Sequence, residues 1–317
     1  MGAPLENQPL VSVIMPFFRQ DEFLLEAVES VKAQTYPSWE LVVVDDGSDG
    51  LSAQELLAGV CASASNIVLL KHEKNLGVSA AKNTAFAGSK GELVVPVDSD
   101  DVLDPAYLEK MVKALLCSDA DGIYADFEFF GEKNYISCSE TRPVRILSGW
   151  FPPNPVLIKR SVFEAVGGYD TNFDLGEDAC FWIAAHKLGM KFGHLHEPLY
   201  RYRSHHRSGT MTRGRDYPLI LTKLARKFPE LYSENAVEVV DLLAEHWIKD
   251  IDVHRNLLQE FQTLESEYRH LHSEFHKLLK HAENAECNRS VSIRATAKTL
   301  LREIASRLKL RPAQQNR

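Results

Sequence analysis

Two hydrophobic periodicities alternate along the first hundred residues. VSVIMPF, WELVVVDDG, NIVLLKH and GELVVPVD are short, β-rich and apolar on both faces, whereas DEFLLEAVESVKAQ, SAQELLAGVCASA and SAAKNTAFAGS place apolar residues at helical spacing. The rhythm reads βαβαβαβ. Strands with two apolar faces predict a parallel sheet covered by helices on both sides, so the expected class is α/β with an open, doubly wound, mostly parallel sheet. In such sheets the ligand crevice lies beyond the carboxyl ends of the strands. Those ends here are Pro16-Phe17, Asp45-Asp46-Gly47 and Asp98-Ser99-Asp100-Asp101.

From Asp121 to about Arg215 the pattern is mixed. GIYADFEFF and PVLIKR predict strands, RSVFEAVGG and DACFWIAAHKLG predict short helices ending at glycine, and the whole reads as a continuation of the first domain that covers the crevice. Residues 216 to 253 predict helix with one apolar face. Beyond them Leu257, Phe261, Leu264, Tyr268, Leu271, Phe275 and Leu278 follow alternating steps of four and three, the a/d spacing of a coiled coil. An amphipathic helix packed on its own domain is the other reading of this stripe. The expected organisation is a domain over 1–215, a helical region over 216–288 with a self-associating helix at 257–278, and a tail over 289–317.

Composition adds an electrostatic division. The 317 residues carry a net charge of −8, but residues 289–317 hold eight Lys or Arg against one Glu, a net +7 that leaves −15 for the rest. An acidic body argues against nucleic-acid binding. The basic end, with Ala297, Leu300, Leu301, Ile304 and Leu308 able to share one helical face, has the make-up of a helix lying on an anionic membrane, and equally of a solvated terminal helix. No apolar run approaches the roughly 20 residues that cross a bilayer, and MGAPLENQPL has no basic flank or apolar signal core. Cys61, Cys117, Cys138, Cys180 and Cys287 are scattered and odd in number, as expected of reduced thiols. A cytoplasmic protein is expected, peripheral at the inner face of the membrane if the tail binds there.

The densest candidate chemistry is PVDSDD at 96–101. Like charges about 4 Å apart repel by several kcal/mol at an effective dielectric near 20, so the cluster needs a cation or water. Asp98 and Asp100, separated by one residue, can face one Mg²⁺ or Mn²⁺ together with substrate phosphate; alternatively, Asp101 and Asp104-Pro105 cap the following helix. Asp45-Asp46 ends another strand on the same crevice, one acid read as a cap and the other as free for a base or ribose. Between the two, KNLGVSAAKNTAF supplies Asn75, Gly77 and Ser79 for turn and cap, then Lys82 and Asn83. A nucleotide diphosphate fits these residues.

The order of motifs resembles the GT-A fold glycosyltransferases of family 2, whose sheet is Rossmann-like. The likeness spans residues 10 to about 208 and rests on VSVIMPFF, QTYPSWELVVVDDGSDG, KNLGVSAAKNTAFAGSKGELVVPVDSDD, FEAVGGYDTNFDLGEDACFWIAAHKLG and PLYRYRSHHRSGT. It implies that Pro16, Phe17 and the Asp45-Asp46 pair hold the base and ribose, and that Asp98 and Asp100 are the metal D-x-D, Asp98 also near the ribose. Glu177-Asp178 matches the acidic pair that supplies the catalytic base in inverting members, with Asp178 the expected base. Lys82 lies beside the same crevice, Arg201 and Arg203 could meet the diphosphate or be surface residues of a loop, and His205 resembles a position at which similar enzymes add a metal or phosphate contact. Trp182 could stack on a sugar or fill the core. His72, His186, His194 and His196 fit no ligand spacing and are read as structural or surface.

The chain departs from that pattern at Arg19, where similar proteins carry Asn, at Lys82 and at Ala184, where they carry Arg. The resemblance implies a metal-dependent inverting enzyme moving a sugar from a nucleotide diphosphate, a UDP-sugar by preference, to a glycan or lipid-linked acceptor in cell-surface polysaccharide synthesis. A non-catalytic nucleotide-sugar-binding scaffold acting through the coiled coil is the alternative. A nucleotidyltransferase is a poorer fit, because no glycine-rich, lysine-bearing loop follows VSVIMP.

Overall fold

A computed structural model describes residues 8–245, except 62–63, 138–142, 149–154, 174 and 207–216, together with 266, 269, 270, 273 and 277. Strands β1 (Val11–Phe17), β2 (Trp39–Asp45), β3 (Ile67–Lys71) and β4 (Leu93–Pro96) run parallel in the order β3-β2-β1-β4. They are joined by helix α1 (Asp21–Lys32), by the short α2 (Ala53–Leu56) and α3 (Ala58–Cys61), and by α4 (Val78–Ala87). This is the predicted rhythm. Along β1, Val11, Val13, Met15 and Phe17 enter one core layer and Ile14 the other; along β2, Leu41 and Val43 are divided from Val42 and Val44 in the same way. Period-two alternation thus buries both faces.

The second half makes the sheet mixed. It comprises β5 (Val102–Leu103), α5 (Tyr107–Leu116), β6 (Gly122–Gly131), β7 (Tyr135–Ser137), α6 (Pro143–Leu147), β8 (Val156–Lys159), α7 (Arg160–Val166), α8 (Glu177–Lys187) and β9 (Phe192–Ser204). β8 lies antiparallel between β4 and β6, β9 pairs parallel with β6, and β5 and β7 add antiparallel edges to β9 and β6. The stretch SAQELLAGVCASA, predicted as one helix, is two: Ser52 and Glu55 form a capping box that starts α2, and the chain turns at Leu57.

The compact unit runs from Met1 to Leu243, beyond the boundary expected at 215. The reason is packing. Helices α9 (Tyr217–Lys227) and α10 (Pro229–Glu234), followed by helical residues 236–245, bury Ile220, Leu224, Phe228 and Val239 against Phe173, Phe181 and Trp182 of the second core layer. The a/d positions of the expected coiled coil and the basic tail lie outside the described residues. Among the described residues no helix is long and apolar enough to cross a membrane.

Gly47 follows the Asp45-Asp46 pair with φ +71°, and a Cβ there would meet the carbonyl carbon of Lys74 at 2.3 Å and the Asn75 nitrogen at 2.5 Å. Gly47→Ala therefore combines left-handed strain with a backbone clash, and is expected to cost about 1–3 kcal/mol or more in urea unfolding; an unchanged midpoint would contradict that close approach.

Candidate active site

Helix α4 is the piece on which the crevice is assembled. Its entry is fixed by Asp46, whose Oδ1 accepts the Leu76 amide at 2.9 Å and whose Oδ2 accepts the Gly77 amide at 2.8 Å. Gly77 takes φ 92° to begin the helix. His72 spans Asp46 and α4, with Nδ1 2.6 Å from Asp46 Oδ1 and Nε2 2.9 Å from Thr84 Oγ1. Asp45 accepts the amides of Ser48 at 2.9 Å and Ala53 at 3.3 Å. Both acids are buried and engaged by backbone amides, so the pair shapes the rim loops instead of dividing into one cap and one free ligand. Phe17 is also buried, within the core, and its carbonyl accepts the Asp46 amide at 2.9 Å; neighbouring Pro16 is buried in β1.

One face of α4 holds the segment that leads into α8. Ser79 Oγ donates to the Phe173 carbonyl at 2.8 Å, and Asn83 clamps Tyr169 from both sides of its backbone, donating to its carbonyl and accepting from its amide, each at 2.8 Å. Residues 82 and 83 lie one turn on from residue 79 and share that face. Lys82, fully buried, places Nζ 2.9 Å from Asp178 Oδ1, 3.0 Å from Glu177 Oε1 and 3.9 Å from Asp98 Oδ1, with the Tyr169 ring centroid 5.0 Å away. The expected base pair and the first acid of the D-x-D thus meet on one ammonium.

That ammonium is outnumbered. Burial pulls Lys82 down, but Asp178, Glu177 and Asp98 outweigh it and hold the amine well above its ordinary value. Burial, with the charge of Asp178 added, pushes Glu177 up to about 7 even though Lys82 opposes the shift. Asp98 is pushed up to about 6 by burial, against the pull of Lys82 and with Asp178 and Asp100 adding to the rise. Excess acid of this kind is what a hard divalent cation relieves.

The other acids of PVDSDD separate by role. Asp100 Oδ2 meets Gln20 Nε2 at 2.8 Å and His205 Nε2 at 3.0 Å, and the His205 ring lies 4.7 Å from Phe23. Asp98, Asp100 and His205 are the donor types that suit Mn²⁺ and also admit Mg²⁺, but the structure brings only Asp100 and His205 together; Asp98 Oδ1 lies by Lys82, and the three do not converge within 4.8 Å. Asp101, expected as a helix cap, is instead buried: it accepts the Tyr200 hydroxyl and, at 2.7 Å, the Arg203 amide, and burial with Asp100 and Asp98 nearby pushes its carboxyl well above the usual range. Asp104 shapes the helix entry, accepting the Ala106 amide at 2.9 Å.

The two arginines expected at the diphosphate have protein partners. Arg203 Nε donates to the Asp100 carbonyl at 2.7 Å, its Nη2 pairs with Glu26 at 2.5 Å, and its guanidinium lies over Phe23 and Phe130, so it braces the acidic loop. Arg201 pairs with Glu128 at 3.3 Å over Phe130. Trp182 is core, 2% exposed and edge-on to Phe181 and Phe192. Gln20, Tyr169 and Tyr200 also contribute to the site and were not singled out by sequence; the GGYD run before the acidic pair was the available signal for Tyr169.

Residues 12–169 match the family model described as glycosyl transferase family 2. The chain belongs to glycosyltransferase family 2. Glycosyltransferase GlyG of Streptococcus pneumoniae is 28% identical over 81% of this chain and 89% of that protein. Among solved structures, S. aureus TarS 1-349 in complex with UDP-GlcNAc superposes with a TM-score of 0.57 at 19% identity, over 68% of this chain and 65% of that one. The mannosyltransferase PcManGT of Pyrobaculum calidifontis, in complex with GDP-Man and Mn²⁺, gives 0.53 at 19% identity over 78% and 81%. These likenesses establish the GT-A fold. Of the departures, Arg19 keeps a left-handed backbone at φ 55° and pairs with Asp49, and Ala184 packs against the second core layer.

The Glu177 shift has a pH signature. Its carboxyl rises from 4.5 to about 7 on folding, so the folded chain keeps a proton that the unfolded chain has lost. This contribution is complete below about pH 4.5 and is lost as pH climbs through about 7. In EDTA the melting temperature should therefore fall across that interval, and Glu177→Gln should flatten the fall; equal slopes in the two proteins would contradict the assignment.

Proposed function

We propose that this chain transfers a sugar, with inversion, from a nucleotide diphosphate donor to a hydroxyl of a glycan or lipid-linked acceptor, and that the donor is a UDP-sugar. The observation that carries the reading is the buried Lys82 ammonium, which gathers Asp98 with Glu177-Asp178 at the carboxyl edge of the parallel strands. Asp178, with 23% of its side chain exposed, is the acid of the pair with more access to a substrate, and Lys82 fixes the orientation of its Oδ1. Glu177 is the more enclosed partner.

In this reaction the acceptor oxygen forms a bond to the anomeric carbon as the bond to the diphosphate oxygen breaks on the opposite face. The acceptor proton passes to Asp178, and the nucleoside diphosphate leaves with the bonding pair. Mn²⁺ or Mg²⁺ held by Asp98, Asp100 and His205 would neutralise the charge that develops on the departing diphosphate. Gln20 and Arg203 keep Asp100 in place, and the loops shaped by Asp45 and Asp46 form the rim for the base. The ligands named for TarS and PcManGT support a nucleotide-sugar donor, and their differing bases leave the preference for uridine to this chain's own loops.

The test is a panel of nucleotide-sugars with Mn²⁺ or Mg²⁺, scored for donor binding, donor hydrolysis and transfer. Asp178→Asn should lower turnover about 10²–10⁴-fold while donor binding persists. Asp100→Asn should weaken the metal-dependent part of donor binding. Donor binding without turnover in the unaltered protein, unchanged by either substitution, would favour the scaffold reading.

A further inference from the structure

A second group of potential ligands lies outside this cluster, on strands β6 and β9. One ligand atom from each of Asp126, His194 and His196 falls within 4.8 Å of the other two. His194 Nε2 is 2.6 Å from Asp126 Oδ1, and the His194 and His196 rings are 3.9 Å apart. We propose that Asp126, His194 and His196 form a binding site for a borderline divalent cation of the Zn²⁺ class.

The strand geometry builds the set. His194 and His196 are two residues apart on β9 and so project from the same side of the sheet. The pairing of β6 with β9 skips at this point, from Ala125 opposite Leu195 to Asp126 opposite Pro198, which leaves His196 and Glu197 outside the ladder. Glu197 pairs with Lys110 of α5, while the His196 ring stays against His194. Two of the three ligands are fixed in advance: Asp126 is 5% exposed, and the His194 ring is stacked on Tyr124 at 4.4 Å. His196 is exposed and keeps one side of the set open to solvent. Two imidazoles and one carboxylate with an open position suit Zn²⁺ and other borderline ions, whereas Mg²⁺ prefers an all-oxygen shell. A tetrahedral ion with arms of about 2.0–2.1 Å separates its ligand atoms by about 3.3 Å, so the 2.6 Å hydrogen bond opens by several tenths of an ångström as the ion enters.

One strand, β8, separates the site from the acidic cluster. Val94 of β4 pairs with Ile158 of β8, and Ile158 pairs with Gly122 of β6. Four residues further along their own chains come Asp98, just past the end of β4, and Asp126, midway along β6, with β8 between their strands. The proposed ion is therefore distinct from one held by Asp98, Asp100 and His205, and its ligands are softer.

The experiment titrates Zn²⁺ into the full chain against a chromogenic chelator, with Mg²⁺ in excess to occupy the oxygen-rich set, and repeats the titration with His196→Ala. Because His196 is exposed, this variant should match the unaltered protein in its melting curve in EDTA. The expected result is one more equivalent of Zn²⁺ in the unaltered protein than in His196→Ala, or a loss of affinity of at least about 100-fold at that equivalent. Co²⁺ should show ligand-field bands that weaken in both His196→Ala and Asp126→Asn. Equal Zn²⁺ stoichiometry and affinity in the two proteins, or a Co²⁺ spectrum indifferent to both substitutions, would overturn the proposal, as would complete displacement of the ion by Mg²⁺.

Discussion

A buried ammonium surrounded by three carboxylates is the constraint on which the crevice depends. Lys82 has no access to solvent, and its stability there rests on Asp178, Glu177 and Asp98. Those acids in turn come from two distant parts of the chain, the end of β4 and the start of α8. Removing a partner from such a cluster leaves uncompensated charge in a poorly hydrated site, which is far more costly than losing a surface ion pair. One lysine therefore joins the parallel half of the sheet to the helix that carries the proposed base.

The neighbouring polar contacts make that junction rigid. Asp46 fixes the start of α4, and Ser79 and Asn83 tie α4 to the chain ahead of Glu177. Gly176, with φ 79°, starts α8 where a Cβ would meet Ile220 Cγ2 at 2.4 Å, so the position of the acidic pair also depends on how α9 packs. This is why the compact unit continues past residue 215. On the opposite side, Arg203, Tyr200, Gln20 and His205 hold Asp100 and Asp101 in separate environments. The remaining imbalance, three acids on one ammonium, is what the cation proposed at Asp98 and Asp100 would relieve.

Much of this was legible in the sequence. The four parallel strands were marked by runs of apolar residues on both faces, and the positions of Asp98, Asp100, Glu177 and Asp178 followed from motif order. Contacts that depend on tertiary packing were not legible. Nothing local distinguishes Asp45 and Asp46 as acceptors of rim amides from acids free to meet a base, nor Asp101 as a partner of Tyr200 from a helix cap. Strand β9 was hidden because its thirteen residues, FGHLHEPLYRYRS, mix His, Glu, Pro and Arg with aromatics and are bulged against β6, which erases clean alternation. The same irregularity concealed His194 and His196 beside Asp126: their i, i+2 spacing points to one face only once a strand is known.

The most direct measurement of the central claim is the urea unfolding free energy of Lys82→Met without added metal. The substitution keeps an apolar stem of similar length and removes the charge. If Lys82 holds the three carboxylates together, the variant loses about 3–5 kcal/mol relative to the unaltered protein; a loss within about 0.5 kcal/mol, the range of ordinary surface substitutions, would contradict the account.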